Sequence, residues 1–122
     1  MQNYINHNGD FILADAPVVA VNNRSFRYGD ALFESIRLAN YNPQYLKEHL
    51  QRLELGMAVL KMEKNSNLNP IFIEHAILEL AQKNNVTSDG RVRLTVYRNE
   101  GGLYAPSDNK VSYIIEVYHL ED

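Results

Sequence analysis

The sequence predicts an α+β domain: a mainly antiparallel sheet with two helices packed on one face. Three observations predict it. Asn8-Gly9 separates two short apolar runs, Tyr4-Ile5 and Phe11-Ile12-Leu13, and Asn-Gly between such runs is a strong hairpin signal. Two stretches of helical periodicity follow each other in the middle of the chain. Two strands then close it. A hairpin and a strand, two helices, then two strands is the order that lays helices on one side of an antiparallel sheet.

The elements follow in order. Residues 4–13 form the hairpin. Residues 14–23 are a loop with an extended piece, Pro17-Val18-Val19-Ala20-Val21. The segment 25–37 starts polar, turns at Tyr28-Gly29-Asp30 and runs into a strand at 33–39, with a short helical turn expected over 28–32. With period two, Phe33, Ser35 and Arg37 share one face of that strand; Glu34, Ile36 and Leu38 share the other. Asn40-Tyr41-Asn42-Pro43 is a turn, and Pro43 forbids regular helix across it. Residues 45–62 are a helix, because Leu46, Leu50, Leu53, Met57 and Leu60 recur at spacings of three and four. Glu48 and Arg52 stand four apart on it and are placed to pair. Asn69-Pro70, a capping residue and a first-turn residue, opens the second helix. Its stripe is Ile73, Ala76, Ile77, Leu80 and Ala81, and Asn84-Asn85 end it. Residues 91–98 alternate strictly, with Val92, Leu94 and Val96 on one face and Arg91, Arg93, Thr95 and Tyr97 on the other. Residues 99–108 are a glycine-containing loop of the kind that carries function. Residues 111–118 are apolar on both faces, as in a central strand.

Composition bounds the function. The chain has 122 residues, enough for one domain with a real core. Its hydrophobic fraction is 45% and its charged fraction 22%, ordinary globular values. The net charge is −3 with no basic run, so neither nucleic acid nor an anionic membrane is an expected partner. The absence of cysteine excludes disulfides and thiolate metal sites, and fits a reducing cytoplasm. No signal-peptide pattern opens the chain, and no apolar stretch is long enough to span a bilayer.

The chemistry-bearing residues are arginines and aromatic rings. Arg37 lies on one strand face, Arg91 and Arg93 on another, and Arg52 on the first helix. With Tyr28, Phe33, Thr95 and Tyr97 they form an anion-receptive wall if they converge; otherwise they are separate surface arginines. A ring supplies a wall and a guanidinium a two-pronged anion contact. Arg52 either pairs with Glu48 on a solvated helix face or sits half-buried at the margin of the stripe. His49, one turn before Arg52, either supports a phosphate site or is a structural histidine at a helix–sheet boundary. No pair among His7, His49, His75 and His119 has zinc-ligand spacing. No Gly-x-Ser-x-Gly, Walker loop or Gly-x-Gly-x-x-Gly occurs.

Three segments together carry a resemblance. Arg27-Tyr28-Gly29-Asp30-Ala31-Leu32-Phe33-Glu34-Ser35-Ile36-Arg37, then Glu48-His49-Leu50-Gln51-Arg52-Leu53, then Arg91-Val92-Arg93-Leu94-Thr95-Val96 resemble the class IV aminotransferase family. These are the fold-type IV pyridoxal-phosphate enzymes: branched-chain and D-amino-acid aminotransferases and aminodeoxychorismate lyases. The resemblance covers only the small N-terminal domain of that family. It implies that 1–122 is a single N-terminal domain, and that the lysine forming the Schiff base lies beyond Asp122, in a C-terminal domain with most of the cofactor cage. None of Lys47, Lys61, Lys64, Lys83 and Lys110 stands at that position, so the chain alone is expected to be inactive.

Residue by residue, the resemblance implies that Arg52 contacts the phosphate of pyridoxal 5'-phosphate. It implies that Tyr28 and Phe33 lie at the substrate pocket, that Arg37 is a pocket arginine, and that Arg93 lies near the substrate carboxylate. Arg91 departs from the branched-chain enzymes, which have tyrosine there. The implied substrates are amino acids and 2-oxo acids, as in the branched-chain aminotransferases, and the complete enzyme would be a homodimer. The loop 101–106, with Gly101-Gly102-x-Tyr104, looks somewhat more like the lyase branch, so 4-amino-4-deoxychorismate lyase is the alternative reaction. A free-standing α+β binding or dimerisation module without catalysis is the alternative from another class.

Overall fold

The computed structural model describes residues 3–18, 31–99 and 109–120. The elements are β1 (Tyr4–His7), β2 (Asp10–Leu13), β3 (Ala31–Ala39), β4 (Asn42–Pro43), α1 (Leu46–Val59), α2 (Pro70–Lys83), β5 (Gly90–Arg98) and β6 (Val111–His119). The strands form one six-stranded sheet in the order β2-β1-β6-β5-β3-β4, antiparallel at every pairing. The expected α+β class holds, and β6 lies inside the sheet as its apolar faces required.

The hairpin turn follows from its residues. Asn8 and Gly9 both take positive φ, 54° and 99°, which asparagine and glycine tolerate and which matches strand twist in a two-residue turn. Asn6 Oδ1 accepts from the Gly9 amide at 2.8 Å and Asn8 Oδ1 from the Tyr113 amide at 2.9 Å. The turn is therefore tied to β6.

Register explains which face is buried. Ile36 sits opposite Val92, and Val92 opposite Val117; Glu34 sits opposite Leu94, and Leu94 opposite Ile115. These apolar rungs are closed over by Leu46, Leu50, Leu53 and Met57 of α1 and by Ile73, Ala76, Ile77, Leu80 and Ala81 of α2. Each fully buried aliphatic side chain is worth about 1.5–3 kcal/mol relative to exposure. The opposite face carries Phe33, Ser35 and Arg37 of β3 and Arg91 and Arg93 of β5, all exposed.

The helix termini differ. Asn69 Oδ1 caps α2 by accepting from the Phe72 amide at 2.9 Å, with Pro70 behind it, as the sequence predicts. α1 has no side-chain cap, and its capping position is Tyr45 at φ 55°. One detail departs from expectation. Leu32 and Ala31 already belong to β3 rather than to a helical turn, because Leu32 pairs with Val96 and Ala31 with Tyr97. α1 starts and stops within the expected 45–62. The expected turn at Tyr28-Gly29-Asp30 and the loop 101–106 lie outside the described residues.

Candidate functional site

β3 gathers the chemistry because neighbouring residues on a strand point to opposite faces. Glu34 points inward. Its side chain is 7% exposed, a carboxylate where the alternation calls for an apolar group. Such a group must find partners, and α1 supplies two. His49 Nδ1 donates to Glu34 Oε1 at 2.6 Å. Arg52 donates through Nε to both carboxylate oxygens at 3.1 Å and through Nη2 to Oε1 at 2.7 Å. Burial pushes the Glu34 carboxyl up, but hydrogen bonds and charge from Arg52 and His49 outweigh it and hold the group below the usual carboxylate range. Glu34 raises the Arg52 guanidinium in return. An ionised Glu34 only accepts, so His49 carries its hydrogen on Nδ1 and leaves Nε2 for another partner.

Arg52 therefore pairs with Glu34 and not with Glu48. Its side chain is 72% exposed, and Nη1 makes no hydrogen bond among the described residues. Arg52, His49, Glu48 and Tyr45 line an open hollow of about 410 Å³. Tyr45 stands at its margin in the left-handed region, as do Asn40 and Tyr41 at φ 50° and 59°. Bulky residues rarely adopt that backbone, and it clusters at functional sites.

The outward face of the sheet carries the second cluster. Phe33 is opposite Thr95, Ser35 opposite Arg93, and Arg37 opposite Arg91. The Arg93 guanidinium carbon lies 4.1 Å from the centre of the Phe33 ring, a cation–π contact between neighbouring rungs of one face. Glu116 faces Arg93 from β6, but its carboxylate accepts from the Tyr118 hydroxyl. Burial, that bond and the Glu116 charge push the Tyr118 hydroxyl up to about 12, with Arg93 pulling it down. At the far end of β5, Tyr97 Oη and His7 Nε2 lie 2.7 Å apart.

Sequence reasoning placed Phe33, Arg37, Arg91, Arg93, Thr95 and Tyr97 on shared faces, and the register brings them onto one. It did not bring in Arg52, which stands on the helix side of the sheet. Tyr28 lies outside the described residues. Glu34 was missed as a site residue, although a signal existed: a charged residue on the apolar face of an alternating strand. Arg98 plays another part. It is 5% exposed and donates to Asn109 Oδ1 at 2.7 Å and to the Leu60 carbonyl at 2.5 Å. A larger, mostly apolar hollow of about 570 Å³ is lined by Gln51, Leu55 and Ala58 of α1 and by Met62 beyond its end, and shares no lining residue with the Arg52 hollow. Among the described residues no group of His, Cys, Asp or Glu could hold a metal ion, and no helix is long and apolar enough to cross a membrane.

Solved aminotransferases share this fold. The chain superposes on the branched-chain amino acid aminotransferase of Escherichia coli with TM-score 0.84 and 22% identity, over 98% of this chain and 40% of that one. For the branched-chain aminotransferase of the archaeon Thermoproteus uzoniensis with norvaline, the values are 0.86 and 17%, over 100% and 42%. For the branched-chain amino acid aminotransferase of Thermobaculum terrenum in its PLP form they are 0.77 and 20%, over 99% and 41%. The chain thus spans about two-fifths of the length of these solved relatives. Among curated proteins none matches it. Residues 31–121 match the family profile described as amino-transferase class IV. They contain β3 with Glu34, α1 with Arg52 and β5 with the paired arginines, and the chain belongs to the class IV amino-transferase family.

Proposed function

We propose that this chain is the small N-terminal domain of a pyridoxal-phosphate-dependent aminotransferase acting on amino acids and 2-oxo acids, as branched-chain aminotransferases do. The observation that carries the reading is Arg52, held by Glu34 at the edge of an open hollow in a chain of this family. A phosphate ester suits that place: a guanidinium edge matches its oxygens, and Arg52 keeps Nη1 for it. Pyridoxal phosphate, where bound, supplies an electron-withdrawing ring for bond-breaking at the amino acid's α-carbon.

The chain's own residues do the rest. Glu34 holds the Arg52 fork in one orientation, so little freedom is lost when the phosphate arrives. Phe33 fixes Arg93 and walls the substrate, and Arg93 and Arg37 take its carboxylate. Tyr28, outside the described residues, is proposed as a further substrate contact on the strength of the family resemblance alone. The lysine that anchors the cofactor belongs to a C-terminal domain. In support, none of the lysines lines the Arg52 hollow or stands on the open sheet face. Lys64 pairs with Glu54 at 3.0 Å, and Lys83 lies over the rings of Tyr4 and Phe11. The isolated chain is accordingly inactive, and the complete enzyme works as a homodimer in the cytoplasm.

Titration of the chain with pyridoxal phosphate tests the site. The expected result is weak, saturable binding that is lost in Arg52→Ala and kept in Lys64→Ala. Binding that is indifferent to Arg52→Ala refutes the phosphate assignment, and no binding at all favours a non-catalytic module. In the longer protein, amino exchange with 2-oxoglutarate separates the aminotransferase from a lyase that releases pyruvate from aminodeoxychorismate.

A further inference from the structure

β1 and β6 diverge, and the gap between them opens into a hollow. The two strands pair at only two rungs, Asn6 with Ile115 and His7 with Ile114. Beyond them a cavity of about 270 Å³ is lined by Ile5 of β1, by Ile114, Glu116 and Tyr118 of β6, and by Ala16 and Val18 from the segment after β2. It shares no lining residue with the Arg52 hollow. Asn84 also lines it, but that amide is already bonded to Tyr4 and Val117. The remaining polar wall is β6. Ile114, Glu116 and Tyr118 alternate with the buried Ile115 and Val117, so all three point to the outward face. Glu116 is half-buried; its Oε1 accepts from the Tyr118 hydroxyl, and its Oε2 makes no hydrogen bond among the described residues. Nor does Glu116 make an ion pair among them. Arg93 stands opposite it on β5, but the Arg93 guanidinium lies over the ring of Phe33 on the strand beyond. Charge taken out of water calls for a partner. Burial and the bond to Glu116 push the Tyr118 hydroxyl up to about 12, so near neutral pH it remains a donor to Oε1. Oε2 is the oxygen left for a ligand.

We propose that this hollow binds a small aliphatic amine in its ammonium form, with the ammonium on Glu116 Oε2 and the alkyl part among Ile5, Ile114 and Val18. The chemistry selects that class. An ammonium has donors and no acceptor, which suits a carboxylate that only accepts. An alkyl chain suits the aliphatic lining, and a volume below the roughly 300–1,000 Å³ of drug-sized sites keeps the ligand short. An alcohol gains the same apolar contact without the charge. A carboxylic acid of the same length meets Glu116 with like charge. The inference goes beyond the aminotransferase reading and uses neither Arg52 nor the cofactor.

The test follows the nitrogen-15 amide resonances of the chain at pH 7 and constant ionic strength. The probes are pentylamine, pentanol and pentanoate. At that pH the amine is charged, as lysine is. Pentylamine is expected to shift Ile5, Ile114 and Val117 and to bind about tenfold more tightly than pentanol, the low end for a hydrogen bond to a charged group. Pentanoate is expected to bind more weakly than either. In Glu116→Gln, still folded by its spectrum, the preference for the amine falls below about threefold. Glu74→Gln, which removes an exposed charge from α2, leaves it unchanged. Ala16→Leu, which narrows the hollow, weakens amine and alcohol together. Equal affinity for amine and alcohol, a preference that survives Glu116→Gln, amine binding indifferent to Ala16→Leu, shifts centred on the Arg52 hollow, or no binding of the amine overturns the proposal. Loss of Arg52-dependent cofactor binding alongside an intact amine preference removes the cofactor reading and leaves this site standing. The converse result removes this site alone.

Discussion

Asn84 ties the hairpin to the rest of the sheet, and replacing it tests how that attachment works. β1 meets β6 at only two rungs, Asn6 opposite Ile115 and His7 opposite Ile114. Beyond them the strands part, and the side chain of Asn84, at the end of α2 and 4% exposed, fills the gap. Its Oδ1 accepts from the Tyr4 amide at 2.8 Å, and its Nδ2 donates to the Tyr4 carbonyl at 2.9 Å and more weakly to the Val117 carbonyl at 3.4 Å. One amide thus does the work of a missing strand rung. In Asn84→Ala both backbone groups of Tyr4 lose their partner. An orphaned polar group costs about 1–3 kcal/mol when buried. These are partly buried, so the low end applies and the sum is about 2 kcal/mol. Urea unfolding should show that loss at an unchanged slope. Hydrogen exchange should show the amides of Ile5 and Asn6 opening well before those of Val92 and Leu94. Asn84→Asp keeps an acceptor for the Tyr4 amide but removes both donors and buries a charge, so it should fall at least as far. A loss below about 0.5 kcal/mol in Asn84→Ala, the range of ordinary surface changes, or exchange that quickens evenly over the sheet, would refute the reasoning.

Two further predictions concern the strands that carry the site. Glu34 is held below its ordinary range when folded, so the unfolded chain binds its proton at higher pH than the folded one. Its contribution is present above the unfolded value, about 4.5, and disappears as the pH falls through the lower folded value. Urea midpoints should therefore separate wild type from Glu34→Gln at neutral pH and converge in acid; a gap that stays constant with pH would count against it. Gly90 lies where a Cβ would come within 2.7 Å of both the Tyr118 carbonyl oxygen and Val86 Cγ1. Gly90→Ala should cost about 1 kcal/mol by urea unfolding, overpacking of about 1–3 kcal/mol set against the smaller gain from a stiffer unfolded chain.

Most of the fold was legible because short-range signals carried it. Asn8-Gly9 sets its own turn, Asn69-Pro70 its own cap, and the alternation of Val92, Leu94 and Val96 its own buried face. The site was legible to the extent that register follows from alternation. Once β3 and β5 pair antiparallel with these faces inward, Arg37, Arg91, Arg93 and Phe33 must share the outward face. What could not be read was pairing across elements. Arg52 has Glu48 four residues before it on the same helix, and the local rule favours that pair. Glu34 prevails because it is buried: without Arg52 and His49 its charge would have no compensation, whereas Glu48 stays solvated. Asn84 was legible only as a helix end, since its bonds to Tyr4 span eighty positions.

The two clusters lie on opposite sides of one sheet, which constrains any ligand that uses both. Glu34 holds Arg52 on the helix side, while Phe33 and Arg93 meet on the other. A packed sheet admits no passage through its middle, and residues 33–36 are paired to β5 throughout. Among the described residues, the open way is around the edge. β4 is only two residues long and covers β3 at Leu38 and Ala39 alone; next to them the Gln44 amide donates to the Arg37 carbonyl at 2.8 Å. Among the described residues, no strand covers the outer edge of β3 from Ala31 to Ile36. Among the described residues, the way from Arg52 to Arg93 that avoids the paired sheet runs across this edge of β3. This explains why consecutive residues of one strand, Phe33 and Glu34, serve different ends of the proposed site.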